Sequence, residues 1–259
     1  MAAISFCPGF VLDRRPVRYL LYCIFRGAPQ PELEAPTGVE GKPVLVIDHG
    51  GLGAAISELS EPDPLPDVAA VLAYESVVES FFSRRTIIPM RYGCTVRDRS
   101  ELAAVLDEHH GQCDALLDGL EGLAEMGIQV LADGPEAGPG VDSAVVSPSH
   151  FHDSNRSGIS YLLAKKQYYG SADRMAERQN ELVKTLCHPL SGLFVRRKVE
   201  LPSSGARQLS LYFLVPRNSI ESFRAASQQC LKDGLAKPIV SGPWPPYNFV
   251  EFSTINGIS

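Results

Sequence analysis

Residues 193–215 read LFVRRKVELPSSGARQLSLYFLV, and this stretch decides how the second half of the chain is built. Side chains alternate along a β-strand, so Leu193, Val195, Val199 and Leu201 share one face while Arg196, Lys198 and Glu200 share the other. After a turn over Pro202 to Gly205, Leu209, Leu211, Phe213 and Val215 alternate again. The two runs predict a β-hairpin with one apolar face. Its basic residues read as a solvated sheet face and not as a phosphate site.

Working outward, Asn218 to Glu221 fits a capping box, and Ile220, Phe223, Ser227, Cys230 and Leu231 mark one face of a helix ended by Gly234. Lys237 to Val240 forms the last strand. Upstream, Met126 to Leu131 is a strand, and Ile159 to Leu190 is a long amphipathic segment closed by Pro189. The order is therefore strand, helix, strand, strand, helix, strand. That is the split βαβ, ferredoxin-like order, with two helices on one face of an antiparallel sheet.

The first half has a different order. Val17 to Phe25 is a β-branched and aromatic run that predicts a buried strand. Pro43 to Asp48 and Leu52 to Ser57 flank His49-Gly50-Gly51, as a hairpin requires. Asp67 caps a helix to about Phe82, with Val68, Val71, Leu72, Val78 and Phe82 as its expected buried stripe. Glu75 falls on that stripe. Its carboxylate pairs with Arg91 of the following strand, Thr86 to Tyr92, or the two side chains reach water separately. A second helix is expected from Ser100 to Leu123, with a break at Gly111. The expected fold class is α+β in two domains: a smaller N-terminal α+β domain over 1–124 and a C-terminal ferredoxin-like domain with a long helix over 125–259. The Gly-, Pro- and Ser-rich residues 133–158 read as a flexible linker.

Composition narrows the function. Over 259 residues, 44% hydrophobic and 21% charged content is the balance of a globular protein with a real core. A net charge of −6 leaves no footprint for nucleic acid. No apolar run is long enough to span a bilayer, and the start lacks a secretory pattern, so no membrane partner is expected. Six cysteines without a C-x-x-C pair fit a reducing cytoplasm.

The usual catalytic signatures are missing from the sequence: it holds no Walker A loop, no G-x-S-x-G elbow and no H-E-x-x-H helix. Glu108, His109, His110 and Cys113 read as a solvated helix face, since adjacent histidines point about 100° apart on a helix. His150, His152 and Asp153 sit in a polar stretch and read as solvent-facing. No cofactor or metal is therefore assigned. A small-molecule sensor or enzyme on a ferredoxin-like scaffold is the alternative, and a pocket joining Glu75, Arg91 and a histidine would favour it.

Residues 241–249, SGPWPPYNF, hold three prolines, three aromatics and the single tryptophan. Proline fixes φ and extends the residue before it, so Trp244, Pro245, Pro246, Tyr247 and Phe249 sit on a stiff backbone. Rigid rings of this kind either strap a core shut or dock a partner.

YLLYCIF (19–25), GLGAAIS (51–57), YESVVE (74–79), TIIPMRYG (86–93) and the 241–249 segment, taken in order, resemble the gas vesicle protein L/F family. The family pattern usually has His where this chain has Tyr74, Phe where it has Tyr92 and Thr where it has Cys94. The resemblance implies a non-enzymatic accessory or minor structural protein, cytoplasmic and associated with the gas vesicle. Its implied partners are the hydrophobic shell protein, gas vesicle protein A, and other accessory proteins, and its implied role is to support nucleation and assembly of the shell.

Overall fold

A computed structural model describes residues 18–27, 36–60, 67–131, 177, 180–200, 208–230 and 239–250. The chain is mixed helix and sheet and divides into two compact units. One comprises Met1–Gly122 together with Pro245–Ser259, and the other Leu123–Trp244. The sequence reading carried its second domain from 125 to 259; the residues from Pro245 on instead belong to the first unit.

The first unit is organised on β1 (Arg18–Arg26), whose residues Leu20 to Phe25 are all buried. A strand apolar on every face must be covered on both, and β1 is central. It pairs antiparallel with β3 (Leu52–Leu59) and β4 (Ile87–Pro89), while β2 (Leu45–His49) extends the sheet beyond β3. A short β5 (Thr95–Val96) also pairs with β1. Gly50 and Gly51, both at positive φ, make the expected β2–β3 turn. Gly53 is glycine for another reason: a Cβ there would run into the Phe25 ring.

Helix α1 (Val68–Phe82) starts where expected, with the Asp67 carboxylate accepting the Ala70 N–H at 2.6 Å. Its buried stripe is the expected one only at Val78 and Phe82. Tyr74, Val77, Val78 and Phe82 face inward, whereas Val68 and Leu72 are 77% and 64% exposed and Val71 stands at the margin. Large apolar residues fall on both its buried and its exposed side, so spacing alone does not fix its phase. Tyr74 fixes it. Its ring stacks on Tyr22 at 4.9 Å, and its hydroxyl lies 3.0 Å from the Leu21 carbonyl oxygen and 2.8 Å from that of Met90. A register shift between Leu21 and Cys23 leaves Tyr22 as a bulged residue, which re-aims its side chain. Both Tyr22 and Phe25 consequently reach α1, the latter stacking on Phe81.

The helix expected from Ser100 is two helices. Asp98 caps α2 (Arg99–Glu108) by accepting the Glu101 N–H, and α3 (His110–Leu120) follows after a break at His109, not Gly111. The break lets His110 bond the Gly50 carbonyl at 2.9 Å, and Arg26 ties the end of β1 to Asp114 and Asp118.

The second unit is a four-stranded antiparallel sheet in the order β7-β8-β6-β9. β6 spans Leu123–Leu131, β7 Arg196–Glu200, β8 Gln208–Pro216 and β9 Ile239–Trp244. The β7–β8 hairpin pairs as predicted. Met126, Ile128, Val130, Leu209, Leu211, Phe213 and Val215 form one core with Val183, Leu186 and Leu190, at and just beyond helix α4 (180–187), and with Phe223 of α5 (Ile220–Cys230). The linker expected over 133–158 and the helix start near Ile159 lie outside the described residues.

Replacing Tyr74 with Phe keeps the ring stack and strips the hydroxyl from two buried carbonyls. We expect a loss of ~1–3 kcal/mol in urea unfolding with an unchanged m-value. A loss under ~0.3 kcal/mol would contradict this account of how α1 is held.

Candidate interaction site

The proline-aromatic segment divides at Trp244, and each half has its own environment. Regular alternation along β9 would put Trp244 on the face of Val240, which packs against the core of its unit. Between Ser241 and Trp244, however, β9 carries one more residue than β6 does between Gly127 and Glu125. The extra residue is a bulge, and it turns Trp244 to the opposite face, in register with Glu125. The result is a half-exposed tryptophan, at 49%, with Ile239 exposed on the same face of the same strand. Glu125 is itself in register with Leu214, and Leu214 with Arg196, so one row across the sheet reads Arg196, Leu214, Glu125, Trp244.

Backbone contact makes the bulge possible. Gly242 sits at φ +105°, and a Cβ there would lie 2.7 Å from the Glu125 carbonyl oxygen, so no other residue fits without a shift. The Gly242–Pro243 peptide is cis. From α5, the Arg224 guanidinium donates to the Gly242 carbonyl at 2.7 Å while also pairing with Glu221. This covers a carbonyl that an edge strand would otherwise present to water.

In the other half, Pro245, Pro246, Phe249 and Val250 are buried, and Tyr247 to Phe249 make a single 3₁₀ turn. The Tyr247 hydroxyl donates to the Glu75 carboxylate, 3.3 Å from each oxygen. Burial pushes the Glu75 carboxyl up, the Tyr247 hydrogen bond pulls it partly back, and the neighbouring Glu79 charge adds to the rise. Burial, followed by the Glu75 charge, holds the Tyr247 phenol well above the ordinary tyrosine range.

Arg91 is not part of this arrangement. It is exposed in the turn after β4, which ends at Pro89, and no ion pair joins it to Glu75 among the described residues. The partner of Glu75 comes instead from 172 positions along the chain, where no local pattern signals it. Two of the described histidines make structural contacts: His49 bonds Asp107 at 2.8 Å, and His110 bonds Gly50 and Asp114. No metal-holding group of His, Cys, Asp and Glu occurs among the described residues. His150, His152 and Asp153 fall outside them. No described helix is long and apolar enough to cross a membrane.

Residues 18–251 match the family described as gas vesicle synthesis protein GvpL/GvpF. Gas vesicle protein L of a Streptomyces species is 26% identical over 83% of this chain and 86% of its own length. Gas vesicle protein F2 of Halobacterium salinarum is 26% identical over 79% of each. The crystal structure of GvpF from an Anabaena species superposes with a TM-score of 0.73 at 18% identity, over 92% of this chain and 97% of that one. GvpF from Microcystis aeruginosa gives a TM-score of 0.70 at 16% identity over 91% and 99%.

The Glu75 environment gives a signed pH dependence. A carboxyl raised in the folded state lowers stability above its folded pKa, and that cost disappears as pH falls towards the ordinary glutamate value of about 4.3. Glu75→Gln keeps an acceptor for Tyr247 without the charge. It should therefore gain most over wild type at pH 7 and least at pH 4. Tyr247→Phe should do the reverse, losing about 1 kcal/mol at pH 7 and less at pH 4. Thermal melts at the two pH values check both signs.

Proposed function

Because the chain belongs to the GvpL/GvpF family of gas vesicle synthesis proteins, we propose that it is a gas vesicle accessory or minor structural protein. In this reading it binds the hydrophobic shell protein, gas vesicle protein A, and other accessory proteins, and so supports nucleation and assembly of the vesicle. It acts in the cytoplasm, associated with the vesicle, and carries out no catalysis.

The observation that carries the reading is Trp244. A tryptophan turned outward by a built bulge, with Ile239 also exposed on that face of the strand, is a rigid apolar contact offered to a partner, at low entropic cost. A shell subunit whose apolar face will line a gas space is prone to aggregate before assembly. Holding that face on a rigid ring keeps it from aggregating until it is incorporated. Pro245 and Pro246 stiffen the chain just past the ring, and Tyr247 and Phe249 anchor the rest of the segment through Glu75 and burial. We read Leu123–Trp244 as ferredoxin-like, because the order β7-β8-β6-β9 with α4 and α5 in one core fits a split βαβ unit.

A pocket joining Glu75, Arg91 and a histidine would favour the sensor or enzyme alternative on a ferredoxin-like scaffold. Glu75 instead bonds Tyr247, and Arg91 is exposed in the turn after β4.

Shell-protein capture tests the proposal. Trp244→Ala should weaken binding of purified shell protein by about 30-fold, the loss of a hot-spot side chain worth about 2 kcal/mol, with little change in melting temperature. Unchanged capture by the variant, or a large fall in stability, sinks the docking role of Trp244.

A further inference from the structure

We propose that the exposed ridge of α1, formed by Val68, Val71, Leu72 and Glu79 with the half-buried Glu75 at its edge, docks an amphipathic helix of a partner protein whose apolar seam is followed by lysine or arginine. The ridge lies within the first unit and is independent of the Trp244 face.

A helix that buries one side ordinarily turns polar residues to water on the other. α1 does not. Alongside the inward Tyr74, Val77, Val78 and Phe82 it still presents Val68 and Leu72, with Val71 at the margin between the two sets, spaced at i, i+3 and i+4. Such a ridge fits the groove of a second helix, because rows three and four apart are what packed helices interdigitate. From Val68 to Glu79 it runs three turns, about 17 Å at the helical rise.

The far end of the ridge sets the occupant's charge. Glu75 and Glu79 stand one turn apart, a like-charge spacing that weakens a helix, and Glu79 is exposed. Neither is in an ion pair among the described residues. The Tyr247 hydroxyl gives Glu75 a proton donor but no positive charge. A cation from the partner completes the site. This argues against two other occupants. A second copy would bring the same two carboxylates, and the chain's own residues 251–259, EFSTINGIS, contain no lysine or arginine. Three apolar side chains make a small patch, so the complex is transient.

The test uses the full chain and two labelled synthetic helical peptides with the same leucine seam, one continuing into lysines and the other into glutamates. Fluorescence anisotropy should give the lysine peptide at least tenfold tighter binding. Glu79→Lys should remove or invert that preference, and Leu72→Asp should abolish binding. Both residues are exposed, and circular dichroism confirms that the variants fold. Equal affinity for the two peptides overturns the proposal, as does binding that survives Leu72→Asp. Self-association that Leu72→Asp dissolves overturns it in favour of a second copy, and binding that appears only after truncation at Val250 overturns it in favour of the chain's own end. Shell-protein capture reports on Trp244 and the peptide titration on Leu72 and Glu79, so the two readings fail separately.

Discussion

The Tyr74 hydroxyl closes carbonyl oxygens from Leu21 of β1 and Met90 just past β4, and the first unit depends on that contact. Buried carbonyls must be paired, and these two are met by a side chain of the covering helix. The rotation of α1 about its own axis is thereby set. Once Tyr74 points inward, Glu75 is carried to the margin where Tyr247 meets it, and Val68 and Leu72 are carried out to water. The anchor for the C-terminal segment and the apolar ridge thus have one cause.

Much of this was legible in the sequence where signals are local. The β2–β3 turn, the Asp67 cap, the buried first strand and the β7–β8 hairpin all rest on neighbouring residues, and each stands as expected. What failed depended on distant contacts. The phase of α1 needed the carbonyls of two strands, because Val68, Val71 and Leu72 compete with Tyr74 and Val77 for the buried side. The Glu75 partner needed the end of the chain. Trp244 turned outward because of one extra residue in β9, and neither composition nor alternation reveals a register shift. The family resemblance rested on motifs, and those same motifs mark the places where local rules give way: the bulged Tyr22, the close Gly53, and the Gly242 that crosses β6 without a side chain.

The candidate surfaces share a physical character. At Trp244 and on α1, apolar side chains are exposed on regular secondary structure and not on loops. Their presentation costs little entropy on binding, since the backbone beneath them is already ordered. The segment between Trp244 and Val250 shows how that order is obtained, with prolines limiting the backbone and burial limiting the side chains.

The first unit is discontinuous in sequence, since Pro245–Ser259 belongs with Met1–Gly122 and all of Leu123–Trp244 intervenes. On the ribosome this imposes an order of events. At synthesis rates of about 5–20 residues per second, the intervening stretch takes on the order of ten seconds to make. During that interval the α1 sequence is present without Tyr247, the partner that Glu75 meets in the finished chain. All of Leu123–Trp244 is therefore made before Tyr247, the partner of Glu75.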